Sequence, residues 1–160
     1  MKCLVAGGYG FIGRGVVRAL IEAGHEVTCA GRDVELGRRL IPDINWIYCD
    51  FNHDLNPDLW AERLEGFDAV VNAVGILQSD LKDDAEMVHG EGARALFLGA
   101  DFAGVKRLVH ISATTVGKAE ASGNSEQEGV IVEQPSNHLT EYEASKLTGE
   151  VYLAETKLNW

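Results

Sequence analysis

Five short apolar runs, "KCLVA" (2–6), "EVTCA" (26–30), "INWIY" (44–48), "DAVVNAV" (68–74) and "KRLVHIS" (106–112), recur along the chain with helix-length segments between them. Runs this short and this uniformly apolar suit strands covered on both faces. Their alternation with helices predicts right-handed βαβ units and an α/β architecture, a doubly wound parallel sheet. The segment "FIGRGVVRALIEAG" places Ile12, Val16, Leu20 and Ala23 on one helical face, and Gly24 closes it where a left-handed residue is wanted. "AEMVHGEGARALFLGADFAG" repeats the pattern with Met87, Ala95, Leu98 and Phe102 and ends at Gly104. No internal repeat, low-complexity tract or linker interrupts the chain, so residues 1–160 are expected to form one domain. A long polar connection, 117–141, stands out, and a connection of that length is often functional.

The first strand-to-helix turn carries "GGYGFIG", in which Gly7, Gly10 and Gly13 have the spacing G-x-x-G-x-x-G. The first glycine lets the chain turn, the second lets backbone approach a pyrophosphate, and the third lets helix pack on strand. Free N–H groups at the helix start attract the phosphates. The spacing and its place in a βαβ unit predict a dinucleotide site of the Rossmann type, strand order 3-2-1-4-5. Gly7, Tyr9, Gly10, Phe11, Ile12 and Gly13 are its expected contacts. At the end of the second strand, where NAD-preferring domains place an acidic residue, "CAGRD" offers Gly31 and Arg32, with Asp33 one place late. An arginine suits a 2′-phosphate, and Arg14 could reach the same group, so NADP(H) is favoured over NAD(H).

Charge and cysteine usage narrow the partners. Fourteen basic against 25 acidic residues give a net charge of −11, a field that disfavours nucleic acid and anionic membranes. Cys3, Cys29 and Cys49 sit in apolar runs without C-x-x-C spacing and read as reduced, buried thiols, with the cytoplasm as expected compartment. No apolar window approaches membrane-spanning length. No metal site is expected, because the histidines lack ligand spacing.

The glycine turn, "CDF" (49–51), "NAVG" (72–75), "HISATTVG" (110–117) and "YEASK" (142–146) resemble, in order and spacing, the extended and atypical short-chain dehydrogenase/reductase family. The resemblance is greatest to its NAD-dependent epimerase/dehydratase group and the NmrA-like and complex I accessory-subunit-like relatives. It implies that Asp50 and Phe51 contact the adenine, that Ala73, Val74 and Gly75 line the adenosine and ribose, and that Ser112 begins the active-site motif. Tyr142 and Lys146, four apart on one helix, emerge on the same face. A phenol serves as a base at neutral pH only where a nearby ammonium favours phenolate, and in the family that lysine also holds the nicotinamide ribose. Tyr142, Lys146 and Thr114 are therefore the expected catalytic set, with Thr114 donating a hydrogen bond to substrate. Aligning on Val116 instead puts Ala113 at that position, the aromatic residue before Gly117 is missing, and His89 replaces a helix-four asparagine as an expected structural histidine.

The resemblance further implies a small substrate-binding domain beyond "KLNW" (157–160), which makes these residues either a truncated chain or a natural short relative, truncation being favoured. The expected substrate is a small carbonyl or alcohol compound or a nucleotide sugar. The alternative function is a non-catalytic NADP(H)-binding sensor or structural subunit. "ARALFLGA" and "LTGEVYLA" carry surplus apolar and small residues, which suggests a homodimer through the fourth and fifth helices.

Overall fold

A computed structural model describes residues 1–81, 83–113 and 140–160. Thr114, Val116, Gly117 and nearly all of the polar connection lie outside the described residues. The elements alternate: β1 (Lys2–Ala6), α1 (Phe11–Glu22), β2 (Glu26–Gly31), α2 (Val34–Leu40), β3 (Asn45–Tyr48), α3 (Pro57–Arg63), β4 (Ala69–Asn72), α4 (Gly92–Phe102), β5 (Arg107–His110) and α5 (Glu141–Ala154). A π-helical turn, Met87–Glu91, leads into α4.

The five strands form one parallel sheet in the order β3-β2-β1-β4-β5, as the alternation predicts. Val5 lies beside Cys29 on one flank and Val71 on the other. Because side chains alternate across a strand, the adjacent residues Leu4 and Val5 face opposite layers. Leu4 joins Trp60, Leu64, Leu96, Phe97 and Leu108 under α3, α4 and α5. Val5 joins Val17, Val27, Cys29 and Trp46 under α1 and α2. This two-sided burial is why the strands read as continuous apolar runs. The three cysteines are free and buried, Cys49 in the first of these layers and Cys29 in the second.

The helix faces differ in detail from the sequence pattern. The face of α1 that meets the sheet is Gly13, Val16, Val17 and Leu20, while Ile12 and Ala23 are exposed. Gly13 must lie flat against the glycine turn, and this rotates the helix away from the Ile12 register. Helix α4 is buried almost all round, because it runs between α3 and α5 above the sheet, and Phe102 instead points to solvent. Gly24 and Gly104 do close their helices with φ of +79° and +69°. Helix α5 begins at a capping box in which Thr140 and Glu143 satisfy one another's backbone N–H groups. That cap fixes the start of the helix carrying Tyr142 and Lys146.

Candidate functional site

The turn after β1 is built by two glycines acting on one carbonyl. Gly7 has φ +78°, and its oxygen accepts the N–H of Gly10 at 2.9 Å. Helix α1 then crosses so close that a Cβ at Gly13 would lie 2.1 Å from that same oxygen. Gly10 is the N-cap and offers no side chain to the helix start, and the first turn holds no acidic residue. Among the described residues the N-terminal N–H groups of α1 therefore lack side-chain acceptors, and the helix dipole adds positive potential there.

From this turn a cleft runs along the carboxyl ends of the strands, lined by Gly7, Tyr9, Gly10, Gly31, Arg32, Cys49, Asp50, Phe51, Asn52, Ala73, Val74, Gly75, Ile76 and Val88. Tyr9 stacks on Trp46 with ring centroids 5.8 Å apart, and its hydroxyl accepts the N–H groups of Arg32 and Asp33. Asp33 is thereby turned away, and its carboxylate caps α2 by accepting from the Leu36 N–H at 2.8 Å. The Arg32 guanidinium forms a two-pronged pair with Asp83, with Nη2 3.0 Å from Oδ2. Asn52 donates from Nδ2 to the same Asp83 carboxylate at 2.7 Å. Burial by itself would raise the Asp50 carboxyl, but the Asn52 N–H and the His53 ring outweigh it and hold Asp50 below the usual carboxylate range. Phe51 reaches the cleft beside Asp50, while its ring is core, packed edge-on against Trp60.

At the other end the cleft wall at Gly75 meets α5. Lys146 is 3% exposed and its ammonium donates to the carbonyls of Ile111 at 3.0 Å and Val74 at 3.4 Å. A Cβ at Gly75 would lie 3.2 Å from Lys146 Nζ, so the ammonium sits against the cleft wall. Burial pushes its pKa down to about 8, only partly offset by Glu150. His89, from the π-helical turn, accepts the Ile76 N–H on Nε2 at 3.0 Å, which leaves Nδ1 as the protonated nitrogen donating to Ser145 Oγ at 2.8 Å. Ser145 in turn donates to the Tyr142 carbonyl at 2.9 Å. The His89 ring also meets the Tyr142 ring edge-to-face at 5.6 Å. Burial, together with the Lys146 charge, pushes His89 down to about 3, so it is neutral at any physiological pH. It is a structural tie between the cleft wall and α5.

The structure thus gathers Gly7, Tyr9, Gly10, Arg32, Asp50, Phe51, Ala73, Val74 and Gly75 around one cleft. Gly13 lies beneath the turn, and Phe11, Ile12 and Arg14 project from α1 as exposed residues. Tyr142 and Lys146 are one turn apart on α5, with Lys146 buried and Tyr142 half-buried. Ser112 Oγ is buried with no hydrogen-bond partner among the described residues, as are both His110 ring nitrogens. Thr114 lies outside the described residues. The sequence reading missed Asn52 and Asp83. Asn52 sits next to the "CDF" motif and could have been included, but Asp83 is 51 positions from Arg32 and nothing local marks it.

A doubly wound parallel sheet with a glycine turn facing a cleft at its strand ends defines a nucleotide-binding domain of the Rossmann class. The chain belongs to the NAD dependent epimerase/dehydratase family, whose model matches residues 3–158. A curated relative, photosystem II assembly factor Ycf39 of Synechocystis, is 31% identical over 113 residues, covering 70% of this chain and 33% of that protein. The Bordetella bronchiseptica enzyme WbmG in complex with NAD shares the fold at TM-score 0.73 and 21% identity, over 99% of this chain and 50% of its own. UDP-glucuronic acid 4-epimerase from Bacillus cereus, in complex with NAD, matches at TM-score 0.68 and 21% identity, over 99% of this chain and 54% of its own. The chain therefore spans about half the length of these structural neighbours.

Proposed function

We propose that this domain binds a nicotinamide dinucleotide along the cleft, NADP(H) in preference to NAD(H), and serves an oxidoreductase or epimerase/dehydratase reaction of the short-chain type. The observation that carries the reading is the glycine turn. A helix N-terminus without side-chain acceptors among the described residues faces the cleft and fits a pyrophosphate, and Lys146 lies behind the cleft wall at Gly75, at the end assigned to the ribose. The NAD-bound neighbours of the same fold support the cofactor class, and WbmG, also known with NAD and UDP, supports a nucleotide sugar as one substrate class. Arg32, on the cleft at the end of β2, supports the preference for a 2′-phosphate.

When bound, the nicotinamide supplies the hydride acceptor or donor. The chain's residues handle the proton. Tyr142 as phenolate takes the proton of the substrate hydroxyl while the carbon–hydrogen bond breaks, and in reduction Tyr142 returns it to the carbonyl oxygen. Lys146, largely charged at pH 7 with its pKa lowered to about 8, lies one turn further along the same helix. Thr114 is assigned the hydrogen bond to the substrate oxygen. The His89–Ser145 tie holds the first turn of α5 against the cleft wall, which keeps the tyrosine in register with the cofactor groove. A homodimer through α4 and α5 is also proposed, with Val151 52% and Phe102 61% exposed on those helices.

The second reading, a non-catalytic NADP(H)-binding subunit, rests on the irregular "SATTVG" segment, which leaves the substrate hydrogen-bond donor uncertain between Thr114 and Ala113. Turnover separates the two. In the full-length protein, Tyr142→Phe should lower kcat at least about a hundredfold on a panel of carbonyls, alcohols and nucleotide sugars, with NADPH affinity barely changed. Nucleotide binding with no turnover in that panel, and a Tyr142→Phe protein that behaves as wild type, would establish the non-catalytic reading instead.

A further inference from the structure

We propose that Asp83 is a determinant of cofactor selectivity that acts against Arg32, holding the guanidinium in a pair that a 2′-phosphate must displace. This deepens the proposed function and rests on its assignment of Arg32 to the 2′-phosphate.

Both terminal nitrogens of Arg32 point at the two oxygens of Asp83. That is the same planar fork a phosphate would use, so the two acceptors compete for one face of the guanidinium. Asp83 is not a chance neighbour. Its carboxylate also accepts from Asn52 Nδ2 at 2.7 Å, and its own N–H donates to Asp80 Oδ1 at 2.9 Å. Asn52 is anchored to the cleft by its N–H to Asp50 Oδ1 at 3.0 Å, and its side-chain oxygen accepts the Asp84 N–H at 3.3 Å. The loop after β4 is thus strapped across the adenosine end of the cleft, with a carboxylate laid on Arg32, which lines it.

The strength of the pair sets the outcome. The Arg32 side chain is 45% exposed and that of Asp83 14%, and half-exposed pairs are weak. A doubly charged phosphate can therefore displace Asp83, but it must also approach a carboxylate of its own sign. A neutral 2′-hydroxyl makes neither demand. Asp83 consequently costs NADP(H) affinity and leaves NAD(H) nearly untouched, narrowing the preference that Arg32 alone would give.

The test is a double-mutant cycle on nucleotide affinity, measured by titration calorimetry with NADPH and with NADH on wild type, Asp83→Asn, Arg32→Ala and the double variant. Asp83→Asn should tighten NADPH about three- to tenfold and change NADH by less than about twofold, the range of a half-exposed pair plus a relieved like charge. In the Arg32→Ala background the gain from Asp83→Asn should fall below about twofold. A selective loss of NADPH in Arg32→Ala with no gain in Asp83→Asn overturns the role of Asp83 and leaves the Arg32 assignment standing. An equal gain in both backgrounds overturns the competition as well. An unchanged NADPH-to-NADH ratio in Arg32→Ala removes the assignment on which the proposal rests. Asp83→Ser removes the same charge with a smaller side chain, so a gain in neither variant overturns the proposal even where the asparagine disturbs the loop.

Discussion

Replacing Lys146 by methionine should stabilise the protein at neutral pH while weakening its nucleotide binding. The ammonium is enclosed between the carbonyls of Val74 and Ile111, and burial lowers its pKa from 10.5 to about 8. Keeping that charge in the fold at pH 7 costs about 3 kcal/mol relative to leaving it in the unfolded chain. The two hydrogen bonds to carbonyls recover part of this, and their loss in the variant costs about 1.5–2 kcal/mol together, most of it from the shorter bond to Ile111. Methionine fills a similar volume without a charge, so the net gain should be about 1–2 kcal/mol at pH 7. Its pH dependence identifies the cause. The folded pKa lies below the unfolded one, so between pH 8 and 10.5 the unfolded chain binds more protons and wild-type stability from this group rises with pH. The advantage of the variant should therefore be largest below pH 8 and gone by about pH 10.5. His89 and His110, pushed down to about 3 and about 4, are neutral throughout this window. Urea denaturation of both proteins at pH 7 and pH 10 reads the difference, and the other groups that titrate there cancel between them. A variant less stable than wild type at pH 7, or a difference that does not depend on pH, would refute the reasoning.

Gly92→Ala should destabilise by about 2–3 kcal/mol, because its Cβ would lie 2.2 Å from the Phe51 carbonyl oxygen and α4 would have to move off the cleft. Thermal unfolding checks it, and a change in Tm within a degree or two would show that the backbone yields there. Assembly through α4 and α5 predicts a dimer in light scattering at tens of micromolar, with Val151→Glu shifting it to monomer; a wild-type monomer would argue against that surface.

The strand–helix alternation and the glycine turn were legible in the sequence because both leave short-range signals. Continuous apolar runs report a sheet covered on two sides, and a glycine at each third position reports a turn where one carbonyl is approached twice. Helix faces were less legible. Ile12 and Phe102 fit a helical stripe, yet α1 is turned by Gly13 against the glycine turn, and α4 is enclosed by neighbours on several sides, so periodicity alone does not find the sheet-facing side. The lining of the cleft was legible where it lies within motifs, at Gly7, Gly10, Asp50 and Gly75. It was invisible where it depends on long-range contact. Nothing near Asp83 says that it meets Arg32. The tie from Ile76 through His89 to Ser145 crosses from the loop after β4 through the π-helical turn to α5.

The central claim is that the glycine turn is a nucleotide site and not merely a tight corner, and titration calorimetry with NADPH and NADH on wild type and Gly10→Val tests it most directly. Gly10 lines the cleft, and a Cβ there would meet only the Gly7 oxygen at 3.1 Å, so valine should be accommodated with modest strain while its branches take the space a pyrophosphate needs. The account predicts saturable binding of NADPH by the wild type and loss of both nucleotides in Gly10→Val with the cooperative thermal transition retained. Equal affinity in the two folded proteins, or a wild type that binds neither nucleotide, would contradict it.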